Sequence, residues 1–258
     1  MSRGDTGEAA AWLLDQHAGR ARFMALERIA RDTLTFAYDV QDAFQGLRRG
    51  DQTTVGYKIG LTTPRMQAMC GLDHPIAGEI LSGGVRRTQA MLRSGDYVRL
   101  GLECEVAVRL GKPLDGRAGF MNMDVVRDAV AEVAAAFEII EDRAADYARL
   151  DMPNLIADNS WNAGVVLGAF VPAPDLADRR GRLFINGAEI DAGSTRDVLG
   201  HPFNSVAWVV GHLAERGRGL EAGQIVMTGS IVLTRFPQRG DIFRFEVDGL
   251  PPVEATVG

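Results

Sequence analysis

Three glutamates in this chain are spaced for shared chemistry: Glu103 and Glu105, one residue apart in YVRLGLECEVAVRL, and Glu138 in AAFEIIEDR. The even positions of the first segment, Val98, Leu100, Leu102, Cys104, Val106, Val108 and Leu110, are all apolar. That alternation predicts a strand with one face in a core. Glu103 and Glu105 then share the other face, roughly 6.5 Å apart along the strand, with the small residues Gly101 and Ala107 on either side. Two carboxylates in a recess repel, so one takes up a proton unless a cation lies between them. A hard divalent ion held by oxygen ligands suits the pair. The alternative is a half-exposed strand carrying two solvated acids.

Glu138 interrupts apolar sequence on both sides, where a charge needs a partner or a metal. The residues before it, DVVRDAVAEVAAAF, have an acidic start at Asp124 and Ala-rich spacing, which predicts a helix leading into Glu138. An ion pair with Arg143 or another arginine is the alternative for this carboxylate.

Those residues need a scaffold, and 258 residues of 46% hydrophobic content can bury a substantial core. A formal charge of −6 and a pI near 5.3 argue against nucleic acid or an anionic membrane as partner. Cys70 and Cys104 are too few for a disulfide framework and fit a reducing compartment. The stretch AAAWLL lacks the features of a signal peptide, and no run approaches a membrane span. A soluble, cytoplasmic protein is expected.

Residues 1–53 read as a helical segment, with a possible cap at Asp32 and an end at Gly50, and residues 54–258 as one catalytic domain. From TVGYKIG onward short β-rich runs dominate: 97–110, GVVLG, RLFINGAEI with its Asn186-Gly187 hairpin signal, QIVMTGSIVLT, DIFRFEV and PPVEATV. A second helix, NSVAWVVGHLAERG, has a candidate cap at Asn204 or Ser205 and a stop at Gly217. Strands outnumber helices without regular alternation. The fold class is therefore α+β, built on a large antiparallel or mixed sheet.

A dinucleotide fingerprint, a P-loop and a nucleophile elbow are absent, and His17, His74, His201 and His212 lack zinc-ligand spacing. Five ordered segments do form a pattern: GYKIGLTTPRMQAMCGLDHPIAG, LECEVAVRLGKPL, AAFEIIEDR, LIADNSWNAGVVLG and VMTGSIVL. Together they resemble the hydratase and decarboxylase branch of the fumarylacetoacetate hydrolase superfamily, from about residue 54 to the C-terminus. The resemblance implies a β-sandwich roll with an N-terminal helical segment, acting as a homo-oligomer in aromatic or related catabolism. It also implies Mg²⁺ or Mn²⁺ on Glu103, Glu105 and Glu138. A 2-oxo acid can chelate such an ion through its carboxylate and keto oxygens, which favours its enolate. In a hydratase, water then adds to the far alkene carbon and gives a 4-hydroxy-2-oxo acid.

The same resemblance matches Lys58 to an active-site lysine, Asp158 and Asn159 to an Asp-Asn pair, and Thr228 and Gly229 to a pocket-lining segment. Read alone, Lys58 is a surface lysine, the pair a polar loop, and Thr228-Gly229 a bulged strand. Asp142 and Arg143 read as supporting residues or as a plain ion pair. Two departures stand out. Ile76 occupies a position that is acidic in hydratases of the branch, and Trp161 one that is often small or hydroxylic. The resemblance implies a metal-dependent lyase, a hydratase first, with Lys58 and Asp158 catalytic and Asn159, Thr228 and Gly229 binding substrate. A 2-oxo-3-enedioate decarboxylase comes second. A C–C hydrolase using His74 is third, and a non-catalytic binding protein fourth.

Overall fold

The computed structural model describes residues 3–30, 33–116 and 122–258. Three N-terminal helices, α1 (Arg3–Ala18), α2 (Glu27–Ala30) and α3 (Leu34–Arg49), precede the sheets. Thr33 caps α3, its hydroxyl accepting from Phe36 N, while Asp32 lies outside the described residues. The helix ends at Gly50 as expected.

The larger sheet runs in the order β2 (Ile76–Leu81), β1 (Thr54–Gly60), β11 (Ile225–Met227), β5 (Leu100–Leu110), β6 (Val130–Glu141), β7 (Asn162–Leu167), β3 (Val85–Arg87), with β8 (Val171–Pro172) beside β6. The smaller runs β10 (Ala188–Ser194), β9 (Arg180–Ile185), β12 (Ile242–Val247), β13 (Val253–Val257), β4 (Ala90–Leu92). Asn186 and Gly187, with φ of 52° and 84°, make the β9–β10 hairpin turn that their dipeptide signals.

The two sheets face each other through one core. Leu100, Leu102, Cys104, Val106, Val108 and Leu110 enter it from β5, and Leu183, Phe243, Phe245, Val253 and Val257 from the smaller sheet. Phe137 sets its edge on Phe243, with ring centroids 6.3 Å apart. The even-numbered face of β5 is therefore buried as its alternation requires.

The Ala-rich segment corrects the expected helix. Only α5 (Met123–Ala129) is helical, and the chain then extends as β6. Val133, Ala135, Phe137 and Ile139 alternate into the core, and β6 pairs with β5 along its whole length. Alanine's helix preference is at most ~0.7 kcal/mol per residue over ordinary residues, so a continuous ladder with a buried face overrides it. The cap of the late helix differs too. Helix α7 (Pro202–Glu215) is capped by His201, whose Nδ1 accepts from Phe203 N, because Pro202 takes the first helical position ahead of Asn204 and Ser205. Gly217, at φ 72°, follows its end. In QIVMTGSIVLT only Ile225–Met227 is a strand; Gly229, at φ 106°, turns the chain out of the ladder.

The N-terminal helices close a second core. Ala9, Leu13, Phe36, Val40 and Phe44 pack with Ile76, Ile140 and Trp161 and with α6 (Met152–Ala157). Helices α1 and α3 thus sit against the end of the large sheet that bears Ile76 and Ile140.

Candidate active site

Across β5 and β6, Glu103 pairs with Glu138, Glu105 with Ala136 and Ala107 with Ala134. Alanine opposite Glu105 leaves room where a larger side chain would fill the recess. The carboxylates of Glu103, Glu105 and Glu138 offer oxygens that all lie within 4.8 Å of one another. Glu105 and Glu138 are fully buried and Glu103 is half-buried, so the cluster opens on the Glu103 side.

Each carboxylate is aimed by contacts from the protein. Thr234 Oγ1 donates to Glu103 Oε1 at 2.5 Å, and Gly229 N to Glu105 Oε2 at 2.8 Å. Asn162 Nδ2 donates to Glu138 Oε1 at 2.9 Å, and Lys58 Nζ lies 3.2 Å from the same oxygen. The opposite oxygens, Glu105 Oε1 and Glu138 Oε2, are buried without a partner among the described residues. An orphaned carboxylate oxygen in a dry site is costly unless something positive meets it. Burial raises the Glu105 pKa well above the carboxylate range, and Glu138 and Glu103 push it further. Burial raises Glu138 as well, with Lys58 opposing. Burial works against the Lys58 ammonium, yet the three carboxylates more than offset it and hold its pKa up. One ammonium leaves two negative charges uncompensated. The oxygen-only donor set, the inward orphan oxygens and the missing two charges fit a divalent ion such as Mg²⁺ or Mn²⁺.

Lys58 is only 3% exposed, so it is no surface lysine. Its register partner on β2 is Gly78, and a Cβ at Gly60 would lie 3.4 Å from Ile76 Cγ1 and 3.5 Å from Lys58 Nζ. Glycine keeps open the space between the ammonium and an apolar wall, Ile76. Glu138 thus takes Lys58 as its ion partner, not Arg143.

The remaining expected site residues are held by the scaffold. Both oxygens of Asp158 are engaged, one by His17 Nε2 at 2.6 Å and one by Arg143 Nη2 at 2.6 Å. Burial would raise the Asp158 pKa, but the hydrogen bond and charge of His17, together with Arg143, bring it below the usual Asp value. A carboxylate so tied is a weak base. Asn159 accepts from Glu79 N at 2.7 Å and donates to Glu79 O at 2.9 Å, so its amide clamps β2. Thr228 donates its hydroxyl to Val106 O at 2.8 Å and is fully buried. Gly229 does reach the site, through its N–H to Glu105. A Cβ there would come within 2.5 Å of Thr62 Cγ2.

Asn159, Ser160 and Trp161 have φ of 54°, 49° and 59°, one turn of left-handed backbone costing roughly 1–2 kcal/mol per residue. The Asn159 clamp and the Asp158 ion pairs hold it, and it delivers Asn162 to Glu138. Trp161 packs edge-on to Phe23 and Tyr147, at 5.4 and 5.7 Å between centroids. Asp142 pairs with Arg99, and His74 Nδ1 sits 2.7 Å from the Pro75 carbonyl oxygen. His74 therefore shows no carboxylate partner among the described residues, as a C–C hydrolase reading would want. Asn162, Thr234 and His17 escaped sequence reasoning. Asn162 alone left a signal there, inside DNSWNAG.

A curled mixed sheet with an acidic triad on its inner face, backed by a second sheet, is the β roll expected of a fumarylacetoacetase-type fold. Residues 77–258 match the fumarylacetoacetate (FAA) hydrolase C-terminal family, and the chain belongs to that family. It is 32% identical over 223 residues to 2-oxo-hept-4-ene-1,7-dioate hydratase of Escherichia coli, covering 83% of each chain. It is 28% identical over 226 residues to 2-keto-4-pentenoate hydratase of Burkholderia vietnamiensis, covering 86% of this chain and 85% of the relative. Among solved structures, 4-oxalocrotonate decarboxylase of Pseudomonas putida G7, complexed with magnesium and adipate, superposes with a TM-score of 0.94. It is 25% identical to this chain, with 100% of this chain and 99% of that one covered.

Proposed function

We propose that this protein is a metal-dependent lyase, a hydratase that adds water to a 2-hydroxy-2,4-dienoate and forms a 4-hydroxy-2-oxo acid. The observation that carries the reading is the pair of buried, unpartnered oxygens on Glu105 and Glu138 beside the Lys58 ammonium. Relatives named as hydratases of 2-oxo acids support the choice of reaction. Glu103, Glu105 and Glu138 would hold Mg²⁺ or Mn²⁺, which when bound would supply the positive charge that polarises the 2-oxo group.

The chain's own residues do the rest. Glu138 holds Lys58 Nζ on the inner face, where the ammonium can give a proton to the dienol carbon chain or retrieve one. Gly60 leaves space beside that nitrogen for the conjugated chain, and Ile76 supplies an apolar wall. Gly229 N–H and Thr234 Oγ1 fix the carboxylates of Glu105 and Glu103. In this reading Asp158 and Asn159 position the loop carrying Asn162, and Lys58 is the proton carrier.

Ile76 favours a second reading. Decarboxylation of a 2-oxo-3-enedioate needs no water, and Ile76 cannot orient one. Incubation of 2-hydroxypenta-2,4-dienoate with the enzyme in H₂¹⁸O separates the two. A 4-hydroxy-2-oxo product labelled at C4 is expected. CO₂ released from a 2-oxo-3-enedioate, with no label gained by the dienoate, would make the protein a decarboxylase.

A further inference from the structure

A cavity of about 200 Å³ lies between α3, β2 and β7, lined by Gln45, Arg48, Glu79, Leu81, Asn162 and Gly164 among others. Glu79 and Leu81 alternate with Gly78, the register partner of Lys58, so they belong to the other face of β2. The cavity is therefore separate from the metal recess, with Asn162 between them.

Two of its groups lack polar partners among the described residues. Gln45 is 1% exposed, and neither its Nε2 nor its Oε1 makes a hydrogen bond. Gln41, one turn earlier on α3, is equally buried but donates to Ala77 O and Ile156 O at 3.0 and 2.7 Å. A buried amide without partners is destabilising, and a bound group would relieve it. Arg48 has no ion-pair partner among the described residues; its guanidinium lies 5.4 Å from the Phe44 ring centroid. The anions that act on it, Asp158 and Glu79, are already neutralised, by His17 and Arg143 and by Arg49. The cavity thus sets one uncompensated guanidinium beside a buried amide whose donor and acceptor are both unpartnered. A guanidinium fork matches a carboxylate. An amide that must both give and accept matches a hydroxyl. The volume admits several waters at ~30 Å³ each, or an acid of about four carbons.

We propose that this cavity binds a small hydroxycarboxylate through Arg48 and Gln45, independently of the metal site. Isothermal titration of L-malate into protein stripped of metal on a chelating resin tests it. Saturable binding of one L-malate per chain is expected, weakened about tenfold or more in Arg48→Met and in Gln45→Met, and weaker for succinate, which lacks the hydroxyl. Arg48→Lys, which keeps charge and stem on a half-buried position, should also weaken it if the fork matters. A crystal soaked in L-malate should place the acid against Arg48 and Gln45. No saturable binding in the millimolar range, binding that needs Mg²⁺, equal binding of succinate, or density in the metal recess alone would overturn the proposal.

Discussion

Glu103 and Glu138 sit directly opposite each other across two paired strands, so the fold places like charges where cross-strand neighbours normally attract. Glu105 adds a third carboxylate on the same face. A scaffold that keeps this repulsion is built around a positive guest.

It follows that relieving the repulsion should stabilise the metal-free protein. Glu105→Gln keeps the shape, and the oxygen that accepts from Gly229 N, but removes one buried charge. Its melting temperature without metal should exceed that of the wild type, while added Mg²⁺ should raise it less. A variant less stable than wild type in the absence of metal would contradict this.

Lys58→Met retains the aliphatic stem and loses the ammonium beside Glu138. Turnover should fall about 10²-fold or more, the scale of a positioned acid-base group. Metal affinity should not fall, since a competing cation is gone. Unchanged turnover with a raised KM would reduce Lys58 to a binding group.

Asp158 carries a different expectation. Its folded pKa lies below its unfolded value of about 3.9, so its stabilising contribution is full above that pH and is lost as pH falls through the folded value. Asp158→Asn should flatten that acid limb of the stability curve. At neutral pH it should cost about 3–5 kcal/mol, because it leaves Arg143 buried and unpaired. Denaturant unfolding at several pH values measures both. A fully stable variant that had lost only turnover would return Asp158 to the chemistry.

At Gly229 a Cβ would meet Thr62 within 2.5 Å, and φ is 106°. Gly229→Ala should therefore shift the N–H that aims Glu105 and weaken Mn²⁺ binding, read by titration. Unaltered affinity would show that the Gly229 contact is dispensable.

What the sequence makes legible is whatever depends on local periodicity. The alternation in β5 places Glu103 and Glu105 on one face, and Asn186-Gly187 marks its turn without help from the rest of the fold. Residues 130–136 mislead because alanine favours a helix locally, whereas the ladder with β5 that decides the matter is a tertiary fact. The partners of Asp158 were hidden for a related reason: His17 lies 141 residues away on α1. Nothing in either segment signals the pairing. The family pattern carries no sign of the hydrogen bonds that Asp158, Asn159 and Thr228 make, which are tertiary contacts.

The most direct measurement is activity on 2-hydroxypenta-2,4-dienoate followed through metal removal and return, with Mn²⁺ binding counted by titration on the same samples. One Mn²⁺ should bind per chain, activity should vanish with its removal and come back with Mg²⁺ or Mn²⁺, and Glu138→Gln should lose binding and activity together. Full turnover in thoroughly stripped protein, or Mn²⁺ binding that ignores Glu138→Gln, would contradict the account.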